Sequence, residues 1–412
     1  MTTFVLLVFG LVYVGMVLGG LPFLQLDRTG VALLGAIAVV AGGALTVEEA
    51  ARAVHLPTVL LLFAFMIMSA QMQLGGFYDW VTLRVAGLNV SPPLLLAVLI
   101  AAVGLLSAVF SNDVVCLAVA PVLVQACLRR GLNPLPFALA LACAANIGSA
   151  ATLIGNPQNM LIGQSLAMSF VGYAVDAALP VLLGLALTWA LVVLGARGHW
   201  QLEQRSGVVP QEGMTQPLQP LQRWQTAKGL GVALAVLLAF LFSPWPHEVV
   251  ALVGAGLLLL SRRLHSSRVL GLVDWQLLVL FVGLFVVNAA LERTGEPARW
   301  VAAAAAHGVQ LEQPSTLFAA VFVLSNLVSN VPAVMLLLPV AQHPMAGTLL
   351  ALVSTFAGNL FIVGSIANII VVDAARRQGV VIGWRQHAAL GIPVTLCTLA
   401  MVAVYLWWRI GG

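Results

Sequence analysis

Long apolar stretches alternate with short polar segments along nearly the whole chain. A helix needs about 20 mostly apolar residues to cross the roughly 30 Å hydrocarbon core of a bilayer. The candidate crossings lie near positions 4–23, 30–45, 57–72, 134–163, 172–195, 229–243, 248–261, 275–290, 347–371 and 388–408. This pattern predicts an all-α polytopic membrane protein.

Two further apolar segments, 93–128 and 314–342, are each interrupted near the middle by polar residues. As single helices they would be about 54 Å and about 44 Å long, which is too long for the hydrocarbon core. We interpret each as a re-entrant hairpin that enters and leaves on the same side. Two full crossings per segment are the alternative, and the short second arm of the first hairpin, 114–128, weighs against it. The polar tips are Ser111-Asn112-Asp113 and Ser329-Asn330.

The polar residues of the first half of the chain recur in the same order in the second half. The matching groups are Ser111-Asn112 with Ser329-Asn330, Pro121 with Pro339, Asn146 with Asn359, and Gly155 and Asn159 with Gly364 and Asn368. Each half then holds five crossings and one hairpin. Because five is odd, we expect the second half to be inserted upside down, as in many secondary transporters. The predicted domains are a first inverted repeat at 1–196, a cytoplasmic linker at 197–228 and a second repeat at 229–412.

Two of the predicted spans contain glycines and polar residues at mid-membrane depth, at 146–159 and 359–368. We expect each helix to break there. A break frees backbone N–H and C=O groups, which are tolerated in a membrane only where protein buries them or where they line a cavity. The half-helix N-termini offer positive partial charge to an anion, and the freed carbonyls can hold a cation or a hydroxyl donor. The glycines at the breaks are Gly148, Gly155, Gly358 and Gly364.

The two tips and the two breaks together form the predicted substrate site near the middle of the membrane. For any one polar residue alone, an interhelical hydrogen bond is the simpler interpretation. The occurrence of four clusters in positions related by the repeat favours a binding site. The candidate substrate-binding residues are Ser111, Asn112, Asn146, Ser149, Thr152, Asn156, Asn159, Ser329, Asn330, Asn359, Ser365 and Asn368.

Asp113 is the one ionisable residue in these clusters. An ionisable side chain at bilayer depth is costly and usually marks an ion or proton pathway. We therefore predict that Asp113 exchanges a proton during transport; a structural role as a helix cap is the alternative. Val331 stands at the matching place in the second half, so the repeat does not itself require an acid. The histidines expected in solvated loops are His247, His265, His343 and His387.

The composition excludes soluble, disordered and disulfide-rich secreted proteins. Hydrophobic residues make up 61% of the chain and charged residues 8%, whereas soluble proteins carry about 25% charged residues. If the N-terminus is outside, the predicted cytoplasmic loops hold 14 of the 18 Lys and Arg residues, as the positive-inside rule requires. We therefore expect a multi-pass protein of the inner membrane with both termini on the periplasmic side.

Other sequence features narrow the function further. Lys228 is the only lysine, and Gly229 follows it where a phosphate-binding P-loop needs Ser or Thr, so a primary pump is not expected. The four cysteines lie far apart without metal-ligand spacing, and we interpret all four as buried core residues. The first residues lack the basic region of a signal peptide and are expected to form the first span. We predict no enzymatic activity, no cofactor, no metal and no nucleic-acid partner.

The two broken spans and the paired Ser-Asn tips resemble those of the ion transporter superfamily. This group includes arsenite and antimonite efflux permeases, sodium/proton antiporters, citrate transporters and divalent-anion symporters. The resemblance covers essentially the whole chain and implies a secondary transporter of a small molecule or ion in the lipid bilayer. It places Ser111, Asn112 and Asp113 at an inner tip and Ser329 and Asn330 at an outer tip. It also allows a homodimer and a soluble ATPase partner.

The tips indicate a substrate class within this superfamily. The divalent-anion symporters carry Ser-Asn-Thr at both tips, whereas this chain has an acid, Asp113, and no basic residue beside it. Arsenite permeases carry an Asn-Asp pair at the matching place, and their substrates are neutral hydroxides. We therefore expect proton-coupled efflux of arsenite or antimonite. The alternatives are a sodium- or proton-coupled permease for a small inorganic or dicarboxylate anion, a sodium/proton antiporter, a channel, or the membrane half of an ATP-driven pair.

Overall fold

Helices account for nearly all of the described structure. The computed structural model describes residues 1–21, 24–202 and 219–411. The helices of the first half are α1 (Thr2–Leu18), α2 (Arg28–Ala41), α3 (Val47–Ala53), α4 (Leu56–Leu74), α5 (Phe77–Ala86), α6 (Pro92–Val109), α7 (Asn112–Arg129), α8 (Pro134–Ser149), α9 (Pro157–Ser165) and α10 (Phe170–Gly195). Those of the second half are α11 (Arg223–Phe242), α12 (His247–Leu259), α13 (Ser266–Leu270), α14 (Trp275–Arg293), α15 (Glu296–Ala306), α16 (Pro314–Val328), α17 (Asn330–Leu337), α18 (Ala346–Ala357), α19 (Ile366–Arg377) and α20 (Trp384–Gly411). A short antiparallel ribbon between α1 and α2 consists of β1 (Gly20–Leu21) and β2 (Leu26–Asp27).

Proline and glycine set several helix boundaries. Pro92, Pro134 and Pro157 stand in the first turns of α6, α8 and α9, where the missing N–H is no loss and the fixed φ suits a helix. Gly19 ends α1 in the left-handed conformation, with φ 81°, which glycine adopts without steric cost. Three helices near the predicted site therefore begin where the sequence supplies proline.

The helices form a multi-pass membrane protein. Within the described residues, seven helices have at least 18 residues and are apolar enough to cross a bilayer, and further apolar helices are shorter. Large apolar side chains are exposed on the outside of the bundle, among them Leu7, Leu105, Leu182 and Phe242. Soluble proteins rarely expose apolar surface on this scale, so we assign this surface to contact with lipid.

The two predicted hairpins differ in the lengths of their arms. α6 and α7 each have 18 residues, about 27 Å at 1.5 Å per residue. The expectation of a short second arm is therefore wrong, because the tip residues Asn112 and Asp113 already belong to α7. α16 and α17 have 15 and 8 residues, about 22 Å and about 12 Å. Re-entry on the same side of the membrane remains a prediction for both hairpins.

Helix packing is repeated between the two halves. The first half pairs α1 with α2 and α6 with α8, and the second half pairs α11 with α12 and α16 with α18. Contacts between the halves are reciprocal, since α2 packs on α14 and the matching α12 packs on α4. The helical breaks also fall at matching places, between α8 and α9 and between α18 and α19. This pattern is what two related halves would produce; the repeat and the opposite orientation of its halves in the membrane stay predictions.

Four short helices, α3, α5, α13 and α15, lie outside the predicted spans. α5 and α15 occupy matching places, after α4 and α14. Residues 203–218 of the predicted linker lie outside the described residues. The end of the linker is helical, because α11 begins at Arg223. The start of the linker is hydrogen-bonded to the turn between α7 and α8: the Leu202 N–H donates to the Gly131 carbonyl at 2.9 Å.

Two predictions about single residues are wrong. Cys397 is exposed, because the face of α20 that carries it is turned away from the bundle; the other three cysteines are buried, as predicted. His387 is buried, with 2% of its surface exposed, and does not lie in a loop. α20 begins at Trp384, ahead of the apolar stretch 388–408, and this extension places His387 on the buried face of the helix.

Candidate functional site

The first hairpin tip is hydrogen-bonded to the first break. Ser111 is the N-cap of α7, and Asn112, which follows it, is 4% exposed. The Asn112 backbone N–H donates to the Gly155 carbonyl at 3.1 Å, and its Nδ2 donates to Asn146 Oδ1 at 3.1 Å. The tip therefore contacts both sides of the break, namely the end of α8 and the loop that leads to α9.

Asn146, in the last turn of α8, connects the two halves of the molecule. Its Nδ2 donates to Asn359 Oδ1 at 2.8 Å and to Asn368 Oδ1 at 3.1 Å. Its Oδ1 accepts from Ser365 Oγ at 2.9 Å, in addition to the bond from Asn112. All five side chains are buried. A single amide thus holds the first tip, the first break and the second break together.

Asn156 closes the first break by capping α9. Its Oδ1 accepts from the Asn159 backbone N–H at 2.9 Å, the usual N-cap arrangement. Its Nδ2 donates to Ser149 Oγ at 2.9 Å and to Thr355 Oγ1 at 3.3 Å. Ser149 Oγ donates in turn to the Asn146 carbonyl at 2.7 Å. The cap of α9 and the bonds around Asn146 therefore form one continuous network.

Thr152 and Asn159 satisfy backbone groups at the break. Thr152 Oγ1 donates to the Ala108 carbonyl at 2.5 Å. Asn159 Nδ2 donates to the Thr152 carbonyl at 3.1 Å and to the Tyr173 hydroxyl oxygen at 3.0 Å. That hydroxyl donates to the Ala150 carbonyl at 2.6 Å. Because unpaired backbone groups are costly in a membrane, these side chains make the break possible.

Glycine lets the backbones at the first break approach one another closely. A Cβ at Gly155 would overlap the Ser149 carbonyl oxygen and would lie 2.7 Å from the carbonyl oxygen of Ser107. A Cβ at Gly148 would collide with the backbone of Gly104 on α6. Gly155 is therefore required by the break itself, whereas Gly148 lies within α8 and allows α8 to pack on α6.

The second break is built in a similar way. Ser365 caps α19, since its Oγ accepts from a backbone N–H of that helix at 3.2 Å. Asn368 Nδ2 donates to the carbonyls of Gly358 and Phe361 at 2.8 and 3.0 Å. Gly358 ends α18, and Gly364 lies in a 3₁₀ turn between α18 and α19. Backbone groups freed by this break are thus also paired with side chains.

The second hairpin tip has a strained backbone. Ser329 has φ 76° and ψ 160°, a region that is almost restricted to glycine. Asn330 follows as the first residue of α17 and is 8% exposed. Its Nδ2 lies 3.2 Å from the position that a Cβ would take on Gly358. Each tip therefore lies against the break of its own half.

Among the residues that were predicted to form the site, four buried amide atoms have no hydrogen-bond partner within the described residues. An unsatisfied buried polar atom costs about 1–3 kcal/mol, so each such atom in a native structure needs a physical reason. Three acceptors and one donor are thus available to a ligand. They are Oδ1 of Asn112, Asn159 and Asn330, and Nδ2 of Asn359.

Asp113 lies beside Asn112 in the first turn of α7 and is partly accessible. In the described part of the chain it takes part in none of the ion pairs. A carboxylate in this position is favourable for the N-terminus of α7. The charged side chain that acts on it electrostatically is another acid, Asp274, at the N-cap of α14. Asp113 is therefore a single carboxyl without a basic partner at the first tip.

Four helices, α7, α9, α17 and α19, begin at the tips and breaks. Their N-termini carry positive partial charge, and helix N-termini commonly bind anions. The site therefore combines amide groups, four helix N-termini and one carboxyl. This arrangement can hold a small polar solute by hydrogen bonds.

The structure joins most of the predicted site residues in one network. Whether they bind substrate remains a prediction. The network comprises Asn112, Asn146, Ser149, Asn156, Asn359, Ser365 and Asn368, with Thr152 and Asn159 attached to it. The residues that lie at the tips without a side-chain hydrogen bond to this network, within the described ranges, are Ser111, Asp113, Ser329 and Asn330.

Three residues of the site were not predicted from the sequence. Gln158 Nε2 donates to Thr355 Oγ1 at 3.2 Å, and Tyr173 reaches the first break from α10. Gln158 could have been included, because it lies within the polar run of the first break. Thr355 and Tyr173 carry no such signal, since only tertiary packing brings them to the break.

Comparisons with known proteins show which proteins this chain resembles. A family model described as citrate transporter matches residues 4–357. A 46 kDa membrane protein of Mycobacterium leprae is 29% identical over 93% of this chain and 94% of its own length. The silicon efflux transporter LSI3 of rice, Oryza sativa, is 27% identical over 95% of each chain.

A solved structure shares the fold. The YdaH transporter of Alcanivorax borkumensis, which has an unusual topology, superposes with a TM-score of 0.56 and 17% identity over 100% of this chain and 97% of its own. The family model spans most of this chain, including both tips and the first break. The chain therefore belongs to the citrate transporter (CitMHS) family of the ion transporter superfamily, whose members are membrane transporters.

Proposed function

We propose that this protein is a proton-coupled exporter of a small neutral hydroxide, with trivalent arsenic or antimony as the expected element. The observation that carries the proposal is the set of unpartnered amide oxygens on Asn112, Asn159 and Asn330, together with a single carboxyl, that of Asp113, next to Asn112. Hydroxyl groups donate hydrogen bonds to such oxygens, so a neutral hydroxide matches them. A multiply charged anion would lose its hydration without gaining a basic side chain at the described site.

The direction of transport is proposed from a relative. The rice protein is a silicon efflux transporter, and its similarity covers nearly the whole of both chains. We accordingly propose that this protein exports its substrate from the cytoplasm across the inner membrane. The positive-inside rule supports both termini on the periplasmic side.

Asp113 is assigned the proton-exchanging role. Asp113 is only partly buried as a residue, and its carboxyl has no ion pair to break among the described residues. Asn112, its neighbour, donates to Asn146 while its Oδ1 is free for substrate. Because Asp113 and Asn112 are neighbours, protonation of Asp113 influences the binding of substrate at the first tip, and binding influences protonation. Coupled transport requires such a mutual influence.

Differences in packing between the two halves support a site that opens to one side at a time. α9 packs on α4, whereas the matching α19 has no comparable contact with α14 among the described residues. α5 packs on α7 and buries four of its ten residues, whereas α15 buries none. We infer that the other state of the transport cycle exchanges these contacts, so that α19 packs on α14 and α15 on α17.

A coupled permease for a small anion is the second candidate. The four helix N-termini at the site favour an anion, and the family model is described as a citrate transporter. In this case a sodium ion or a proton would enter with the anion and offset the negative charge of Asp113.

Transport into inside-out vesicles that contain a pH-sensitive dye distinguishes the two candidates. With a proton gradient established, arsenite, antimonite, sodium, sulfate and citrate are added one at a time to wild type, Asp113→Asn and the control Asp373→Asn, an exposed acid on α19. We expect arsenite or antimonite to collapse the gradient in wild type and in the control, and not in Asp113→Asn. A response only to sulfate or citrate would favour the second candidate. Full proton-driven transport by Asp113→Asn would contradict the assigned role.

A further inference from the structure

His387 is a buried histidine for which the transport mechanism has so far no role. It is 2% exposed, and its Nδ1 has no hydrogen-bond partner among the described residues. It lies near the start of α20. Histidine is the side chain that most readily gains and loses a proton near neutral pH. Inside a membrane protein, an ionisable group without a partner indicates a role in moving ions or protons.

α10 and α20 present buried faces with closely similar spacing. The buried residues of α10 are Phe170, Tyr173, Ala177, Pro180, Val181, Gly184, Thr188 and Val192. Those of α20 are His387, Gly391, Val394, Thr395, Thr398, Leu399, Val402 and Leu406, and seven of the eight on each helix follow the same intervals when Tyr173 is aligned with His387. Tyr173 contacts the first break, where its hydroxyl donates to the Ala150 carbonyl at 2.6 Å. His387 therefore occupies the matching place in the second half.

The helix face that carries His387 leads to the second break. Gly391, one turn further along, packs so closely that a Cβ would lie 2.5 Å from the Asn359 carbonyl oxygen and 3.0 Å from that of Leu360. Asn359 in turn is bonded to Asn146 in the site network. Thr395, one more turn along, is fully buried and its Oγ1 has no partner in the described part of the chain. Unpartnered polar atoms thus follow one face of α20 toward the site.

No charged side chain forms an ion pair with His387 in the described part of the chain. α20 packs on α8, α10 and α18, and the titratable groups on these helices are Cys143, Tyr173 and Asp176, with none on α18. Tyr173 is bonded at the first break, and Asp176 is paired with Arg409 near the other end of α20. Arg385, two residues before His387 in the first turn of α20, is a like charge when the imidazole is protonated. Protonation of His387 therefore breaks no ion pair, but burial and the like charge of Arg385 oppose it until the second break opens and water reaches the imidazole.

We propose that His387 is a second proton-binding group of the transport cycle, beside the second break, as Asp113 is at the first tip. The proposal rests on the proton coupling proposed above. The neutral imidazole takes a proton from water at the start of α20 and forms an N–H bond. It releases that proton to water at the site when the second break moves, and no other covalent bond changes. The start of α20 is predicted to be cytoplasmic, so this group would serve the cytoplasmic side.

The test compares the pH dependence of transport in wild type, His387→Gln, His387→Tyr and the exposed control His265→Gln, from about pH 5 to about pH 8. Tyrosine restores the ring and the hydroxyl found at the matching place on α10, but it does not titrate in this range. We expect both His387 variants to transport more slowly than wild type and to lose the same part of the pH profile, and we expect the control to match wild type. A wild-type profile in His387→Tyr would overturn the proposal, because packing alone would then account for the residue.

A second readout separates this proposal from the transport function. Nitrogen NMR of histidine-labelled protein in lipid discs follows the seven imidazoles directly, with His387→Gln identifying the signal of His387. We expect that signal to titrate, and to do so at a higher pH when the second break is open to water than in this buried state. If it titrates while wild type moves no protons with any substrate, the proposed function fails and His387 remains a proton-binding group. If it does not titrate, the proposal about His387 is wrong, whatever the substrate.

Discussion

At the scale of single residues, asparagine suits this site because its amide both donates and accepts two hydrogen bonds. Asn146 uses both capacities, donating to Asn359 and Asn368 and accepting from Asn112 and Ser365. Aspartate would lack the donors, and serine is too short to reach partners on several helices. One neutral side chain thus joins two halves of the chain without placing a charge in the membrane.

Replacing Asn146 should weaken the whole site. Asn146→Ala leaves several buried polar groups without partners, so we expect it to lower the free energy of unfolding by at least about 2 kcal/mol and to abolish transport. Thermal unfolding in detergent and transport in vesicles measure the two effects. Asn89→Ala, in an exposed loop, is the control and should change neither. Wild-type stability in Asn146→Ala would show that the network does not hold the breaks together.

Gly155 should tolerate no larger side chain. In Gly155→Ala the new Cβ meets backbone carbonyl oxygens of Ser149 and Ser107, which cannot turn aside as a side chain would. We expect a loss of about 1–3 kcal/mol in unfolding free energy, measured by thermal unfolding. Gly195→Ala is the matched control, because nothing lies within 4 Å of its Cβ position. If both variants were equally stable, the close approach at the first break would not exist.

At the scale of elements, the two hairpin tips share the residues Ser-Asn but not the backbone conformation. Ser111 has φ −56° and ψ 128°, which any residue adopts easily. Ser329 has φ 76° and ψ 160°, which stores strain of about 1–3 kcal/mol. This strain is compatible with a second tip that fits against Gly358 in the present conformation and moves away from it in another state of the transport cycle.

Glycine substitutions at the two tips should have opposite effects on stability. Ser329→Gly relieves the strained backbone, and we expect it to raise the free energy of unfolding by about 1 kcal/mol. Ser111→Gly only makes the unfolded chain more flexible, so it should lower the same quantity by about 0.5 kcal/mol. Thermal unfolding of both variants checks the signs. Destabilisation of equal size in both would mean that the second tip is not strained.

The breaks are predictable from the sequence because polar residues and glycines are costly within an apolar span unless the helix is interrupted there and buried in protein. The short helices α5 and α15 were not predicted, since they are neither long nor apolar enough to stand out from loops. The burial of His387 was also missed. The apolar stretch begins one residue after it, whereas α20 starts three residues before it, and helix ends are set by tertiary packing as well as by composition.

At the scale of the whole molecule, the site depends on contacts between the halves that the sequence does not reveal. The repeat predicts that Asn146 and Asn359 are equivalent, but not that they bond to each other at 2.8 Å. The difference between the packed α9 and the more exposed α19 is likewise a property of one conformational state. Such differences follow from tertiary structure, which the pattern of polar residues does not encode.

Thiol labelling can test whether the second break opens to one side. Val363 is 42% exposed, whereas Ile154, the matching residue of the first break, is 1% exposed. In a Cys397→Ser background, we expect a membrane-impermeant maleimide to label Val363→Cys from the predicted cytoplasmic side, and substrate to slow the reaction. Ile154→Cys should stay unlabelled. Labelling of Val363→Cys from neither side would mean that this surface faces lipid and not an aqueous opening.

The most direct test of the central claim is substrate-driven proton movement by purified protein in liposomes. Wild type, Asp113→Asn and Asp373→Asn are compared with the same arsenite or antimonite gradient and an internal pH dye. We expect proton flux in wild type and in Asp373→Asn, and none in Asp113→Asn, because the carboxyl at the first tip is the group that carries the proton. Equal flux in all three proteins, or arsenite transport without proton flux in wild type, would contradict the account.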